Sequence, residues 1–293
     1  MQLSIRNLTK TYPNGVKALN DLSLTISTGM FGLLGPNGAG KSSLMRTIAT
    51  LQDADQGTID LDGLNVLEKK DEVRRILGYL PQEFGVYPKM SAEGLLDHLA
   101  VMKGLTSRGE RKDIVDSLLK QTNLWEVRNK NLGTYSGGMK QRFGIAQALL
   151  ADPKLIIVDE PTAGLDPTER NRFLNLLSSI GANKIVILST HIVEDVRELC
   201  SRMAIVNKGQ VLVESAPDEA VAALEGKIWR KTLNQSETLD SHQADFNVIS
   251  SHLIGGLTQI RAFSDERPTE AFQPVEAGLE DVYFLKLKQT TVQ

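Results

Sequence analysis

The sequence predicts an α/β fold whose core is a parallel sheet. Three continuous apolar runs, residues 30–34, 155–158 and 185–188, are typical of strands that are buried on both faces of such a sheet. Each run leads through a loop into apolar residues at three- and four-residue spacing, which is the helical pattern. Because ligands bind outside the carboxyl ends of the strands in open α/β sheets, we expect the functional residues to follow these runs.

A glycine-rich loop after the first run fills every fixed position of the phosphate-binding pattern G-x-x-x-x-G-K-[ST]. Its residues are Gly35, Pro36, Asn37, Gly38, Ala39, Gly40, Lys41 and Ser42. Glycines let backbone N–H groups converge on phosphate oxygens at a helix N-terminus, where the helix dipole favours anions. Lys41 adds positive charge for the outer phosphates, and the Ser42 hydroxyl suits a Mg²⁺ that bridges two phosphates. The loop predicts a nucleoside triphosphate site; a plain glycine-rich turn with a chance lysine is the alternative.

Antiparallel strands are predicted around this loop. Apolar and polar residues alternate within 2–8 and 22–26, before the loop, and again at 58–61, where a hairpin signal follows. Tyr12 precedes the turn between the first two strands. Its ring can stack on a nucleobase, an interaction of roughly 1–3 kcal/mol, or pack in an ordinary core, and its position alone leaves both readings open.

A helical insert is predicted from about residue 88 to residue 150, after a short strand at 76–80. Near its end, Ser136, Gly137 and Gly138 open a helix. Ser136 can cap that helix, and the paired glycines expose backbone N–H groups at its start. The sequence therefore predicts a second anion-binding helix end, far along the chain from the first.

Two later strands end in residues that can act on a bound phosphate. Asp159 and Glu160 follow the run 155–158, at the edge where ligands bind, although two acids could instead cap the next helix. His191 follows the run 185–188. A histidine at a strand end is more often structural than catalytic, so His191 is a catalytic candidate only because the other motifs accompany it.

The composition is that of a globular protein. With 41% hydrophobic and 24% charged residues, the 293-residue chain can bury one or two cores. A net charge of −3 without a block of five or more Lys/Arg argues against a nucleic-acid surface. No apolar run approaches the roughly 18 residues of a membrane span, and the start lacks signal-peptide features, so we expect a cytoplasmic protein. Cys200 is the only cysteine of the sequence, so an internal disulfide is excluded, and we expect its side chain in the core.

A small accessory domain is predicted for residues 216–293, after a terminal hairpin at 203–213. Short strand candidates lie near 228–233, 246–249 and 257–263, and an amphipathic helix at 279–287 is expected to pack back on this appendage. None of these segments carries a chemical motif.

In their order along the chain, these motifs resemble the ATP-binding subunit of an ATP-binding cassette (ABC) transporter, over residues 1–215. Many phosphate-loop proteins share the first motif and an acidic strand end. Few of them also have a Ser-Gly-Gly motif shortly before the acidic strand end, and a Gly-Leu-Asp motif and a histidine after it. In this chain these are Ser136-Gly137-Gly138, Gly164-Leu165-Asp166 and His191. The resemblance implies a P-loop NTPase domain of the ABC type, with a parallel-sheet core, an antiparallel β subdomain and an α-helical subdomain. A small α+β accessory domain follows it.

The resemblance also assigns roles to residues at the family's motif positions. Glu160 matches the general base that polarises the attacking water, and His191 matches the residue that contacts the γ-phosphate and positions that water. Asp159 matches the Mg²⁺-associated acid. Gln82 matches the glutamine that joins the Mg²⁺ or water shell and senses the transporter partner. Asp166 lies in the loop that crosses the dimer interface in this family.

The implied ATP contacts come from two copies of the chain. One copy supplies an aromatic ring for adenine and the residues in and beside the phosphate loop, namely Tyr12, Val16, Gly35, Pro36, Asn37, Gly38, Ala39, Gly40, Lys41, Ser42 and Ser43. The other copy supplies Ser136, Gly137 and Gly138. Lys41 also belongs to the implied catalytic residues, and Ser42 and Gln82 join Asp159 at the implied Mg²⁺ site.

Two motifs depart from the family pattern. The usual signature Leu-Ser-Gly-Gly-Gln has Tyr135 and Met139 at its ends here, and Ser43 stands where threonine is more usual. Ser136 and the glycines, which carry the phosphate contacts, are retained. Residues 139–142 and 279–283 are similar to the bacterial branch that exports drugs, antibiotic peptides or polysaccharides through a separate membrane subunit.

The resemblance implies an ATPase that uses ATP and Mg²⁺ and works as a homodimer of ATP-binding subunits. Its other partners would be integral membrane subunits, which attach it to the inner face of the cell membrane, and no nucleic-acid partner is expected. A soluble ABC ATPase that acts on nucleic acid or ribosomes is the first alternative, but its usual paired cassettes, zinc cysteines and basic linkers are missing from the sequence. A nucleotide-gated regulator with little turnover is the second, and Glu160 and His191 speak against it.

Overall fold

The computed structural model describes residues 1–234 and 237–290. Up to residue 215 the chain contains both strands and helices, as the predicted α/β fold requires. In chain order they are β1 (Gln2–Thr11), β2 (Lys17–Ser27), β3 (Gly29–Leu34), α1 (Lys41–Ile48), β4 (Gln56–Leu61), β5 (Leu64–Asn65), α2 (Lys70–Ile76), β6 (Leu77–Leu80), α3 (Ala92–Met102), α4 (Arg108–Gln121), α5 (Gly137–Ala148), β7 (Leu155–Asp159), α6 (Pro167–Ile180), β8 (Ile185–Thr190), α7 (Val193–Leu199), β9 (Arg202–Asn207) and β10 (Gln210–Ser215).

The central sheet confirms the predicted parallel core. Within the described residues it has six strands in the order β10-β9-β3-β8-β7-β6, and all but the edge strand β10 run parallel. The three apolar runs form β3, β8 and β7, which lie side by side. Alternate side chains enter two separate cores, with Ile157 on one face and Ile156 and Val158 on the other. The register pairs Asp159 with Ser189, so β7 and β8 end together at one edge.

An antiparallel sheet, in the order β2-β1-β4-β5, packs on one face of the central sheet. Leu3 and Ile5 of β1 share a core with Leu33 of β3 and Ile157 of β7. The hairpin signal after residues 58–61 is confirmed by the pairing of β4 with β5. The short helix α2 was not predicted, because only its Val73 is buried and the segment has no apolar periodicity.

Residues 88–150 contain the helices α3, α4 and α5, as the predicted helical pattern requires. Each of them begins at a serine whose side-chain oxygen accepts a backbone N–H three residues further on, namely Ser91, Ser107 and Ser136. Helix α5 also packs on β6 and α6, so its capped end is held against the core.

Beyond residue 215 the described elements form a smaller core and also contribute Leu224, Ile228 and Ile249 to the main one. They are α8 (Pro217–Ala222), β11 (Ile228–Thr232), α9 (Leu239–Asp245), β12 (Val248–Ile254), β13 (Leu257–Phe263), β14 (Gln273–Pro274) and α10 (Leu279–Gln289). The strands form an antiparallel sheet in the order β12-β13-β11-β14, around Ile260 and Phe272. The strand predicted near 246–249 begins at Val248 and continues to Ile254.

The closing helix α10 packs on two parts of the chain, whereas the sequence predicted packing on the appendage alone. On the accessory side Asp281 accepts from Arg261, with 2.6 Å from Nε to Oδ1 and 2.7 Å from Nη2 to Oδ2. On the other side Val282 enters the core shared with α7 and β9, and Thr290 Oγ1 accepts from Asn207 Nδ2 at 2.9 Å. Neither this helix nor any other in the described part of the chain has the length and apolarity to cross a bilayer.

Candidate functional site

The predicted phosphate loop joins β3 to α1 and is fixed by backbone contacts on two sides. Gly40 has a φ of 104°, and a Cβ at this position would lie 2.3 Å from the carbonyl oxygen of Ala18, so the loop requires glycine here. On the other side Gly209, in the turn between β9 and β10, donates its N–H to Ala39 O at 2.8 Å. The loop therefore presents a preformed helix N-terminus, which is suited to an anion.

Lys41 is buried at the base of this loop, with 4% of its surface exposed. Its Nζ donates to Gly35 O at 2.6 Å and to Pro36 O at 3.2 Å, and it lies 3.7 Å from Glu160 Oε1. Burial lowers the pKa of the Lys41 ammonium, and the charges of Glu160 and Asp159 oppose this by raising it. The neighbouring carboxylates thus help to keep a buried cation charged beside the phosphate loop.

Glu160 is the point at which the predicted catalytic residues meet. Besides Lys41 near Oε1, its Oε2 accepts from Gln82 Nε2 at 3.2 Å and lies 3.3 Å from His191 Nδ1. Glu160 has a φ of 46°, a conformation that costs a non-glycine residue about 1–3 kcal/mol. Its N–H donates to Ser189 O at 2.8 Å, which fixes this turn at the end of β8. Three segments that are distant from Glu160 in sequence therefore converge on its carboxylate.

Asp159 has the properties of a ligand for a divalent cation. Its side chain is 3% exposed, and within residues 1–234 and 237–290 its Oδ1 has no hydrogen-bond partner. The same is true of Ser189 Oγ, on the strand position paired with Asp159. Buried carboxylate and hydroxyl oxygens without partners suit Mg²⁺, which binds one or two protein oxygens together with phosphates and waters. Ser42, the second residue of α1, is the hydroxyl that the phosphate loop itself offers.

Tyr12 lies beside the start of α1, which follows the phosphate loop. Its hydroxyl lies 3.0 Å from Ser43 Oγ and donates to Gln52 Oε1 at 3.0 Å. Gln52 also donates from Nε2 to Ser43 O at 2.8 Å. Val16, predicted beside the nucleotide, is 55% exposed, and its carbonyl accepts the Tyr12 N–H. The Tyr12 ring is therefore tethered to the start of α1 while its turn stays open to solvent.

The predicted signature and interface residues lie outside this cluster. Ser136 and Gly137 are exposed, and in the described residues no hydrogen bond joins residues 136–138 or Asp166 to Lys41 or Glu160. Asp166 caps α6 by accepting from the N–H of Glu169 at 2.9 Å. Glu169 also pairs with Arg142 of α5, which fixes the capped end of α5 against α6. One chain thus presents two separate helix N-termini of the kind that suits an anion.

Several residues around the site were missed by sequence reasoning. Asp195 is fully buried and accepts hydrogen bonds from Thr162 and Arg170, while Gln52 and Ser189 lie beside Tyr12 and Asp159. An acid in the first turn of a helix is common because it complements the helix dipole. The sequence therefore carries no signal that Asp195 is buried and paired.

The comparisons with known proteins agree on one kind of protein. A family profile described as ABC transporter matches residues 19–163. The ABC transporter ATP-binding protein NatA of Bacillus subtilis (strain 168) is 38% identical over 204 residues, which is 69% of this chain and 82% of NatA. The linearmycin resistance ATP-binding protein LnrL of the same organism is 35% identical over 227 residues, with 76% and 72% covered. A dimeric ATP-binding cassette solved in a post-hydrolysis state with ADP and Pi has a TM-score of 0.66 at 28% identity, covering 73% of this chain and 98% of that chain.

Proposed function

Because the chain belongs to the ABC transporter family as one of its ATP-binding subunits, we propose that the cluster around Glu160 hydrolyses ATP in a dimer that powers export. ATP binding and hydrolysis coupled to transport are the activities of this family.

The convergence of Lys41, Gln82 and His191 on Glu160 is the observation that carries the proposal. Phosphoryl transfer depends on positioning and charge stabilisation more than on covalent chemistry. Lys41 and the loop N–H groups stabilise the charge on the phosphates, and Glu160 takes the proton of the attacking water. His191 and Gln82 both contact Oε2 of Glu160 and orient that water. The carboxylate therefore has the position and contacts of a general base.

Asp159, Ser42 and Gln82 are the residues that would hold Mg²⁺, with Ser189 as a neighbouring oxygen. The bound ion supplies charge neutralisation on the phosphate oxygens. The buried, unpartnered oxygen of Asp159 supports this assignment.

A second copy of the chain would complete each ATP site. The exposed Ser136 end of α5 makes no hydrogen bond to the chain's own phosphate loop in the described residues, so it is free to receive the ATP held by a partner's Lys41 loop. Both ends are anion-binding helix N-termini. We expect a head-to-tail homodimer, with the Asp166 loop at its interface. The dimer would close on ATP and open when the γ-phosphate is cleaved.

An apolar groove supports attachment to membrane subunits. It has a volume of about 610 Å³ and runs between the ends of α1 and α2, strand β6 and the end of α3. Leu51 and Met102 line it and are 61% and 72% exposed, and Tyr87, in the segment after Gln82, is 66% exposed. Exposed apolar side chains of this kind mark interaction sites. The protein would thus lie at the inner face of the cell membrane, and contact near Gln82 would couple transport to hydrolysis.

We assign export as the direction of transport, through separate membrane subunits. LnrL is a resistance protein by its name, and the residues 139–142 and 279–283 are similar to the export branch. The similarity to transporter subunits also favours transport over an ATPase that acts on nucleic acid or ribosomes.

Replacement of Glu160 by glutamine tests the proposed base. The Glu160→Gln variant keeps the size and shape of the side chain, but its amide is uncharged, has a single acceptor oxygen and cannot take a proton. We expect phosphate release to fall by about 10²–10⁴-fold. ATP should still bind, and ATP-bound dimers should accumulate on a sizing column, while the wild type returns to monomers after hydrolysis. Near-normal turnover would exclude Glu160 as the base, and monomers at saturating ATP would exclude the composite site.

A further inference from the structure

Asp195, on α7, is a buried carboxylate that joins three segments of the site. Its side chain is 0% exposed. Oδ2 accepts from Thr162 Oγ1 at 2.5 Å and from Thr190 Oγ1 at 3.4 Å. Oδ1 accepts from Arg170 Nε at 2.8 Å, and Arg170 Nη2 lies 2.6 Å from the same oxygen. Both oxygens of the carboxylate are thus engaged.

The partners of Asp195 lie next to the residues that would perform hydrolysis. Thr162 is two residues after Glu160, and Thr190 immediately precedes His191. Arg170 is one helical turn after Asp166, the residue that caps α6. A single side chain therefore links the turn that carries Glu160, the strand end that carries His191 and the helix behind the Asp166 loop.

A buried carboxylate is costly unless it is paired and hydrogen-bonded, and removing one partner of such a group is strongly destabilising. Both conditions are met here, so Asp195 ties the three segments together. Burial and, to a smaller extent, the charge of Asp195 raise the pKa of the thiol of Cys200, the residue that follows α7, to about 12.

We propose that Asp195 is a positioning residue for ATP hydrolysis. It holds the Glu160 turn and the His191 strand end so that Glu160 Oε2 and His191 Nδ1 are 3.3 Å apart. Through Arg170 it also links this pair to α6, whose first turn is capped by Asp166. The inference rests on the proposed roles of Glu160 and His191.

The chain contains a matched control for this carboxylate. Asp281, on α10, is also buried, at 3% exposure, and is also paired with an arginine, Arg261. None of its described hydrogen bonds reaches residues 159–162 or 189–191; its other hydrogen bond is from Gly278 N. Asp281→Asn should therefore cost stability without a specific effect on catalysis.

The test compares Asp195→Asn, Thr162→Val and Asp281→Asn in the full chain. For Asp195→Asn and Thr162→Val we expect kcat to fall by about 10- to 100-fold, as for other displaced catalytic groups, with the Kd for ATP unchanged because the Lys41 loop is not touched. The NMR signals of the His191 ring should shift in both variants. Asp281→Asn should lower the melting temperature while its kcat, measured below that temperature, stays at the wild-type value.

The outcomes separate this inference from the proposed base. Thr162→Val retains the Asp195–Arg170 pair, so it reports on positioning even if Asp195→Asn does not fold. Wild-type kcat in Thr162→Val, or an equal loss of kcat in Asp281→Asn at an equal loss of stability, would overturn the positioning role. If Glu160→Gln itself retains normal turnover, the proposed function fails instead. A drop in kcat for both site variants, with an inactive Glu160→Gln and a normal Asp281→Asn, supports the inference.

Discussion

The side-chain amide of Gln82 donates to the carboxylate of Glu160 at 3.2 Å, across 78 residues of sequence. Glu160 is buried, whereas Gln82 is exposed in the segment that follows β6. The same segment continues to Tyr87, an exposed aromatic residue. The Gln82–Glu160 contact therefore joins the proposed catalytic base to a surface that a membrane subunit could move.

Loss of the Gln82 amide should slow hydrolysis without weakening ATP binding. A hydrogen bond to a charged group contributes about 1.5–3 kcal/mol, and at an exposed donor we expect the lower end, or about a tenfold fall in kcat for Gln82→Ala. The Kd for ATP should stay unchanged, since the phosphate loop is intact. Phosphate release at saturating ATP and ATP titration give the two values. Gln121→Ala, another exposed glutamine, is the control, and wild-type kcat in Gln82→Ala would contradict the assignment.

A methyl group at Gly137 should impair the ATP-dependent dimer and leave the chain itself intact. A Cβ at this first position of α5 meets nothing within 4 Å in its own chain. Alanine is the better helix former by about 1 kcal/mol, so the melting temperature should not fall. On the surface that receives the partner's ATP, however, the methyl group blocks the approach of phosphate to backbone N–H groups. We expect hydrolysis to fall on the order of tenfold or more.

Gly109→Ala is the control for that variant. Gly109 is the second residue of α4, and a Cβ there also has open space around it. Its melting temperature and ATPase activity should both be retained. Equal activities for Gly109→Ala and Gly137→Ala would show that the end of α5 does not contact ATP.

Two variants of Tyr12 should separate its ring from its hydroxyl. If the ring stacks on adenine, Tyr12→Ala should weaken ATP binding by roughly 5- to 150-fold, which corresponds to the roughly 1–3 kcal/mol of base stacking. Tyr12→Phe keeps the ring and loses only the contacts with Ser43 and Gln52. It should bind ATP like the wild type and lose about 1 kcal/mol of stability. Equal ATP affinities of Tyr12→Phe and Tyr12→Ala would exclude stacking.

The sequence was sufficient to predict the residues that end parallel strands. Glu160 and His191 could be expected at one edge, because all strands of a parallel sheet have their carboxyl ends on the same side. The Asp195 contacts could not be expected, because a buried and an exposed aspartate in the first turn of a helix look alike in sequence. The same limit applies to α10: its amphipathic pattern predicted burial but not that Val282 packs with α7 and β9. Which element a helix packs on depends on contacts between residues that are distant in sequence, and a local pattern carries no information about those contacts.

Cys200 should make the protein lose stability in alkaline solution. Burial and the Asp195 charge raise the pKa of its thiol from 9.0 to about 12. Between these values the unfolded chain releases the proton and the folded chain retains it, so stability falls as pH rises from about 9 to about 12. Denaturant unfolding of the wild type and Cys200→Ala over this pH range gives the measurement. The stability difference between them should shift against the wild type with rising pH, and a constant difference would contradict the buried thiol.

A single charge in the apolar groove should detach the protein from its membrane subunits. Met102, at the end of α3, lines the groove and is 72% exposed, so Met102→Lys should fold normally and retain ATPase activity in solution. The described lining of the groove includes Arg74, Arg75 and Lys103 but no acidic residue, so the new ammonium has no partner within the groove. Placing an unpaired charge in an interface costs at least about 1–3 kcal/mol, which is enough to weaken binding by about 5- to 150-fold. Sedimentation with membranes that contain the co-expressed subunits measures the bound fraction. Leu253→Lys is the control, because Leu253 is similarly exposed, at 76%, but lies on β12 of the C-terminal sheet. Loss of sedimentation in Leu253→Lys with retention in Met102→Lys would move the docking surface from the groove to the C-terminal sheet.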